Sequence, residues 1–243
     1  MIRARRTRAR RPLVITIDGP AGVGKSTAAK LLARRLGLLY LDTGATYRAL
    51  AYAARQRVLH PVADAGRIAQ LARRLPIKLT IRKDGSLQVR LSGVDVTKAI
   101  RTEEVTEEAA LVSQHPSVRE AMVKRQRELA HRDGVVVEGR DTGSVVFPRA
   151  TYKFFLDADP AVRAHRRQRE LGRLYGSRPP LAQIREQLHF RDALDLNRRV
   201  GPLIKPDGAI ALDTSRLTAP QVVRALLQHL PSPGVRHFAR REQ

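Results

Sequence analysis

Short apolar runs recur along the chain, each closed by glycine or an acid and separated by stretches with a helical repeat. Leu13 to Asp18, Leu38 to Leu41, Val135 to Val137, Tyr152 to Leu156 and Ala209 to Leu212 read as strands. Their apolar continuity fits burial on both faces, as in a parallel sheet covered by helices. After the first run, Thr27 to Leu36 places Ala28, Leu31, Leu32 and Leu36 on one helical face, with Lys30, Arg34 and Arg35 outward. A second helix is expected from about Ala45 to Arg57, with Asp42 or Thr43 as its N-cap. Strand and helix alternate, which predicts an α/β fold. The rhythm breaks between Pro61 and Thr102. There a short helix precedes Ile77 to Ile81, a Lys83-Asp84-Gly85 turn and Leu87 to Leu91, the pattern of an antiparallel hairpin inserted into the parallel frame. Helices are expected next at about Glu103 to Ser113 and Ser117 to His131.

Composition narrows the class. Hydrophobic residues make up 42% of the 243, ordinary for a packed globular chain. No apolar run approaches the roughly 18 residues of a membrane span. There is no cysteine, which excludes disulfides and thiolate metal sites. The net charge of +23 is the anomaly, and only eight of the 46 basic residues are lysine. Arginine's planar fork suits phosphate and carboxylate, so anionic ligands are implied. Six arginines, Arg3, Arg5, Arg6, Arg8, Arg10 and Arg11, crowd ahead of the first strand; setting them aside (23 less 6) still leaves +17. Residues 1–12 therefore read as a basic arm, either a solvated tail or a segment that binds RNA or another polyanion. It has no apolar stretch of the kind a secretory signal carries. Aromatic content of 4% and the absence of tryptophan count against base-stacking platforms.

The first strand runs into Gly19-Pro20-Ala21-Gly22-Val23-Gly24-Lys25-Ser26, which fits G-x-x-x-x-G-K-[ST] between a strand and a helix. Glycines let successive backbone N–H groups point at phosphate oxygens, and the helix that Thr27 opens adds positive partial charge. In that geometry Lys25 reaches the β- and γ-phosphates of ATP and the Ser26 hydroxyl reaches Mg2+. No N-K-x-D guanine-reading motif occurs. The second strand ends in Asp42-Thr43-Gly44-Ala45-Thr46-Tyr47-Arg48, where Arg48 beside Tyr47 is placed to hold a second anion. The third ends in Glu138-Gly139-Arg140-Asp141, with Glu138 where a metal-water ligand is expected and Arg140 and Asp141 directed to the crevice. Arg163, Arg166, Arg167, Arg173 and Arg178 surround a Leu171-Gly172 break, as in a lid that closes on phosphates, and Arg163 and Arg167 share a helical face. Arg191, Asp195 and Arg198 follow at i, i+4 and i+7 of a helix. Each cluster also has a plain reading as core, turn or solvated helix charge.

Together these segments, with Ile100-Arg101-Thr102, Ser144-Val145-Val146-Phe147-Pro148 and Phe155-Leu156-Asp157-Ala158, resemble the bacterial cytidylate kinases of the P-loop nucleoside monophosphate kinase family. The resemblance runs from about Val14 to Leu230 and implies a P-loop NTPase-type fold with a five-stranded parallel sheet, a small inserted antiparallel subdomain and a lid. It divides the chain into a CORE (13–60 and 132–230), an acceptor-binding insert (61–131), a lid near 168–180 and a tail (231–243). It implies transfer of the ATP γ-phosphoryl group to CMP and dCMP with Mg2+, in a cytoplasmic monomer with no membrane or nucleic-acid partner beyond what the arm holds. By the same resemblance Arg48, Arg140 and Arg198 hold the acceptor phosphate beside Thr43 and Tyr47. Arg191 and Asp195 bind ribose, Arg119 and Asp141 read cytosine, and Lys25, Arg163 and Arg167 offset charge on the transferring group. Two positions depart from the family's pattern: Ala110 stands where a serine usually helps contact the base, and Glu138 where aspartate is usual. A P-loop kinase for UMP or shikimate, and an ATP-regulated nucleic-acid-binding protein, are the alternatives.

Overall fold

The structure is a computed structural model and describes residues 12–82, 86–130, 134–176 and 178–231. The arginines of the basic arm, the Lys83-Asp84-Gly85 turn, His131 and the C-terminal tail from 232 lie outside them. Five strands, β1 (Val14–Asp18), β2 (Leu39–Asp42), β6 (Val135–Gly139), β7 (Tyr152–Asp157) and β8 (Ile210–Asp213), form a parallel sheet in the order β2-β6-β1-β7-β8. A second sheet is antiparallel, β3 (Ile77–Ile81), β4 (Leu87–Leu91) and β5 (Val94–Asp95). The parallel sheet and the hairpin are thus as the apolar pattern predicts. β5 was not expected, because two exposed residues carry no alternation to read.

Helices cover the parallel sheet: α1 (Lys25–Leu36), α2 (Thr43–Arg55), α3 (Ala65–Arg74), α4 (Glu103–Val112), α5 (Pro116–Leu129), α6 (Pro160–Tyr175), α7 (Leu181–Leu196) and α8 (Ala219–Gln228). α1 and α2 each begin two residues earlier than the apolar repeat suggests. Asp42 accepts from the Ala45 amide at 2.8 Å and so caps α2. The final helix was not anticipated, although Thr218 and Gln221 form a reciprocal capping box. Ile15, Ile17, Leu32, Leu50, Val136 and Phe154 are fully buried, and each such side chain contributes roughly 1.5–3 kcal/mol against the entropy of ordering. Leu31, expected on the inner face of α1, is exposed. α3 packs on α5, α2 on α4 and α6 on α7. Among the described residues no helix is long and apolar enough to cross a membrane.

Register aligns the carboxyl ends that carry the chemistry. Asp42 pairs with Glu138 and Asp18 with the next residue, Gly139, so three acids gather at the carboxyl ends of three neighbouring strands. Beyond β6 the chain forms a π-helical turn, Thr142–Val146, rather than a simple glycine-rich turn. Its cause lies in another segment. The buried Asp18 carboxylate accepts from the Thr142 amide (2.8 Å), the Thr142 hydroxyl (2.8 Å) and the Gly143 amide (2.7 Å). This clamp sets the direction in which Arg140 and Asp141 leave the strand. Asp18→Ala should therefore cost about 3 kcal/mol, because two buried amides lose their acceptor. Urea denaturation checks it, and an unchanged midpoint would show the clamp to be dispensable.

Two sequence expectations about α6 and α7 are corrected. Gly172 does not break α6; the helix continues to Tyr175 and stops at Gly176, whose φ of 72° only glycine adopts readily. Arg198 is not on the helix with Arg191 and Asp195, since α7 ends at Leu196.

Candidate active site

The phosphate loop is held open by its neighbours. Gly19 approaches β7 so closely that a Cβ there would lie 2.0 Å from the Leu156 carbonyl oxygen, with φ at 146°. Pro20 follows, and its carbonyl accepts from Lys25 Nζ at 2.6 Å. Lys25 is 5% exposed, and burial pushes its pKa down to about 7, the Arg140 charge adding to the effect. The Ser26 hydroxyl donates to Glu138 Oε1 at 2.5 Å, and the Thr43 hydroxyl donates to the Glu138 carbonyl at 2.7 Å. Burial pushes the Glu138 carboxyl up, and Asp42 reinforces this while Lys25 opposes it. At the loop's apex, Ala21 donates its amide to Asp192 Oδ1 at 3.4 Å, and Arg163 packs against Gly22. The Val23 carbonyl accepts from the Thr214 hydroxyl at 2.9 Å. Gly24 precedes α1 with φ at 93°. Thr27 is exposed and turns to an outer groove with Lys30, not to the cleft.

Facing Lys25 and Ser26 across Glu138 is a second, strongly basic half of the same cleft. Arg48 pairs with Asp42 at 3.1 Å, and Arg140 donates through Nε to Asp195 at 2.7 Å. Arg198 stands 3.7 Å from the other Asp195 oxygen, and Arg191 lines the cleft beside them. Burial alone would push the Asp195 carboxyl up, but Arg140 and Arg198 hold it below the carboxylate range. Burial, and next the Arg140 charge, push Arg191 down to about 10. One carboxylate is thus shared between two guanidinium groups, with the Arg191 charge acting on it from further off. Among the described residues, Arg48 Nε, Arg191 Nε and both Nε and Nη2 of Arg198 are buried with no hydrogen-bond partner. Buried unsatisfied donors are costly, and the three arginines that carry these four all line one cleft.

Behind the far end of the cleft, which Asp141 lines and Arg119 does not, lies a buried ion pair. Arg119, 1% exposed, donates through Nη2 to Asp141, stacks 5.7 Å from the Tyr47 ring centre and donates to the Ser113 carbonyl at 3.4 Å. Burial pushes Tyr47 up to about 12, and its hydroxyl lacks a partner among the described residues. A carboxylate acceptor beside guanidinium donors is complementary to a base edge carrying an amino group next to acceptors. Ala110 is not part of the cleft lining. Ser113, one turn further on, is, and its hydroxyl donates to the Ala110 carbonyl at 2.8 Å.

The arginines of α6 divide. Arg163 reaches the loop, paired with Asp192 and donating to the Ala21 carbonyl at 3.3 Å. Arg166 braces the loop from behind through Thr214, donating to its hydroxyl at 3.0 Å and its carbonyl at 2.6 Å. Arg167, expected beside Arg163, instead pairs with Glu170 at 2.9 Å on the surface. Sharing a helical face was a correct inference, but only the first turn of that face meets the loop. Sequence reasoning missed Asp18, Tyr40, Asp42 as the partner of Arg48, Ser113 and Asp192. Of these, Ser113 was visible as the next inward position of the Ala110 face, and the Asp42–Arg48 pair spans six positions at the start of α2; Asp18, Tyr40 and Asp192 are defined by contacts between distant segments.

Comparison with known proteins points the same way. A family profile described as Cytidylate kinase matches residues 15–232. Cytidylate kinases of Desulforamulus reducens and Geobacillus sp. (strain WCH70) are 44% identical over 213 residues and 45% identical over 215 residues; each alignment covers 88% of this chain and 94% of the relative. A bifunctional pantoate ligase/cytidylate kinase of Synechococcus sp. (strain WH7803) is 44% identical over 88% of this chain, which spans only 43% of that relative's length. A match of this extent shows that the chain belongs to the cytidylate kinase family of phosphotransferases.

Proposed function

We propose that this chain transfers the γ-phosphoryl group of ATP to CMP and dCMP, giving ADP and the nucleoside diphosphate. The observation that carries the reading is the set of buried, unpartnered guanidinium donors facing Lys25 across one cleft. The loop Gly19 to Ser26 takes the donor phosphates, with Thr27 contributing through its backbone at the N-terminus of α1 because its side chain turns to the outer groove. Arg48, Arg140 and Arg198 take the acceptor phosphate, with Thr43 and Tyr47 at its side. Arg191 and Asp195 take the ribose hydroxyls, and Arg119 and Asp141 the base.

An acceptor phosphate oxygen is already a charged nucleophile, so its attack on the γ-phosphorus needs no strong base. As that bond forms, the bond to the bridging oxygen breaks and ADP leaves with the electron pair. The protein's task is alignment and charge neutralisation. Lys25 and Arg163 offset charge on the transferring group, while Arg140 and Arg198 hold the acceptor in line. Arg167 joins them once its side chain leaves Glu170; its charge already acts on Arg191 in the cleft. Mg2+ fits the hard oxygen donors present, the Ser26 hydroxyl and, through water, the Glu138 carboxylate; this ion favours few protein ligands plus phosphates. When bound it offsets charge between the β- and γ-phosphates.

In domain terms the reading keeps a CORE of 13–60 and 132–230, an acceptor-binding insert of 61–131 and a lid around 168–180, with the lid's stop at Gly176. The proposal carries with it a monomer acting in the cytoplasm. A coupled assay with ATP against CMP, dCMP, UMP, AMP and shikimate tests the proposal. Turnover with CMP and dCMP well above the others is expected; preference for UMP or shikimate would overturn it.

A further inference from the structure

Glu138 is reached by a third element that the mechanism above does not use. In β2, Tyr40 pairs in register with Val136 and Asp42 with Glu138. Side chains two apart on a strand share a face, so Tyr40 is the diagonal neighbour of Glu138, within reach of a long side chain. Its hydroxyl donates to Glu138 Oε1 at 3.0 Å, the same oxygen that accepts from Ser26. Among the described residues neither hydroxyl donates to Oε2, which is left for the cleft that Glu138 lines. The Tyr40 side chain is itself buried, and the Lys30 ammonium stands 5.7 Å from its ring centre on the outer side. A glutamate has one more rotatable bond than an aspartate, and a carboxylate that must meet a metal-bound water gains from a second fixed point.

We propose that Tyr40 is a positioning residue for the metal site: its hydroxyl ties down Glu138 Oε1 so that Oε2 faces the ion's water. This rests on the reading of Glu138 as a metal-water ligand. Ser26 makes the other bond to Oε1 but also belongs to the metal, so among the described residues Tyr40 is the one donor to the Glu138 carboxylate free of the ion itself.

The test measures Mn2+ binding to the ADP-loaded full chain by the loss of the free-ion paramagnetic resonance signal, beside CMP affinity without metal. Tyr40→Phe removes one oxygen and keeps the ring. It should weaken Mn2+ binding about tenfold, the usual effect of deleting a group that orients a ligand, and leave metal-free CMP binding unchanged. Glu138→Gln, measured in parallel, should weaken Mn2+ at least as much. If Glu138→Gln weakens the ion and Tyr40→Phe does so by less than about threefold, the positioning role is wrong. If Glu138→Gln itself has no effect, the metal reading of Glu138 fails, and the role of Tyr40 fails with it. Equal loss of Mn2+ and CMP affinity in Tyr40→Phe would mean a general structural role and would also overturn the proposal. Should the Phe variant not fold, Tyr40→Leu is put through the same measurements and judged by the same outcomes.

Discussion

Lys25→Met is expected to abolish turnover and yet raise the melting temperature of the ligand-free protein. The ammonium is buried at the base of the loop and makes one hydrogen bond, to the Pro20 carbonyl. Burial lowers its pKa from 10.5 to about 7. Below about 7 both the folded and unfolded chains hold the proton, and the folded state bears the full cost of a desolvated charge. Between about 7 and 10.5 the unfolded chain binds the extra proton, so stability rises with pH across that window. A methionine of similar length removes the cost but leaves the Pro20 carbonyl without its donor, which returns about 1 kcal/mol. The net gain should be about 1 kcal/mol or more at pH 7, read as a melting temperature higher by roughly 3 °C, and it should shrink toward pH 10. Activity should fall on the order of 10^3-fold, because a preorganised charge aimed at the transferring group is lost. Scanning fluorimetry at pH 7 and pH 9.5 beside the coupled assay checks both halves. A less stable variant, or one with normal turnover, would remove Lys25 from the role assigned to it. A side chain that weakens the empty fold and is needed by the filled one is the usual trade between stability and function.

Asp141→Asn should carry the second large effect, on stability and selectivity together. Arg119 is almost wholly enclosed, and Asp141 is its carboxylate partner. Removing that negative charge leaves a buried guanidinium with a neutral amide oxygen in its place, besides the Ser113 carbonyl, the Tyr47 ring and the more distant Asp195 charge, at a cost of about 3 kcal/mol. The base edge should be misread as well. A carboxylate accepts from the amino group of cytosine, whereas an asparagine amide can also donate to the carbonyl that uracil presents there. Discrimination worth about 1–3 kcal/mol per matched pair implies that the CMP-to-UMP ratio of kcat/KM drops roughly 10- to 100-fold. The KM for ATP should stay near its original value. Equal shifts for CMP, UMP and ATP would show that Asp141 supports the cleft without reading the base.

Much of this was legible along the chain because its causes are local. The loop Gly19 to Ser26 is legible because glycine spacing and the lysine are requirements of a single turn between a strand and a helix. The buried strands are legible from apolar continuity, and the β3–β4 hairpin from alternation around its turn. The π-helical turn was not, because Asp18 imposes it from 124 positions away. Nor was β5, whose residues are exposed and whose partner strand supplies the pairing.

The arginines mark the boundary between the two kinds of knowledge. Composition and the loop Gly19 to Ser26 by themselves pointed to a nucleotide triphosphate as ligand and supplied a chain rich in groups suited to anions. They did not determine which arginines meet the second anion. Arg163 and Arg167 have the same spacing logic, yet one touches the loop and the other a surface glutamate. Arg198 reaches Asp195 although the helix that would have carried it has ended. Helical periodicity depends on neighbours a few residues apart, and the sequence states those neighbours directly. Charge pairing depends on distances across the folded sheet, falls off within a few ångströms and is decided by whichever segments packing brings together.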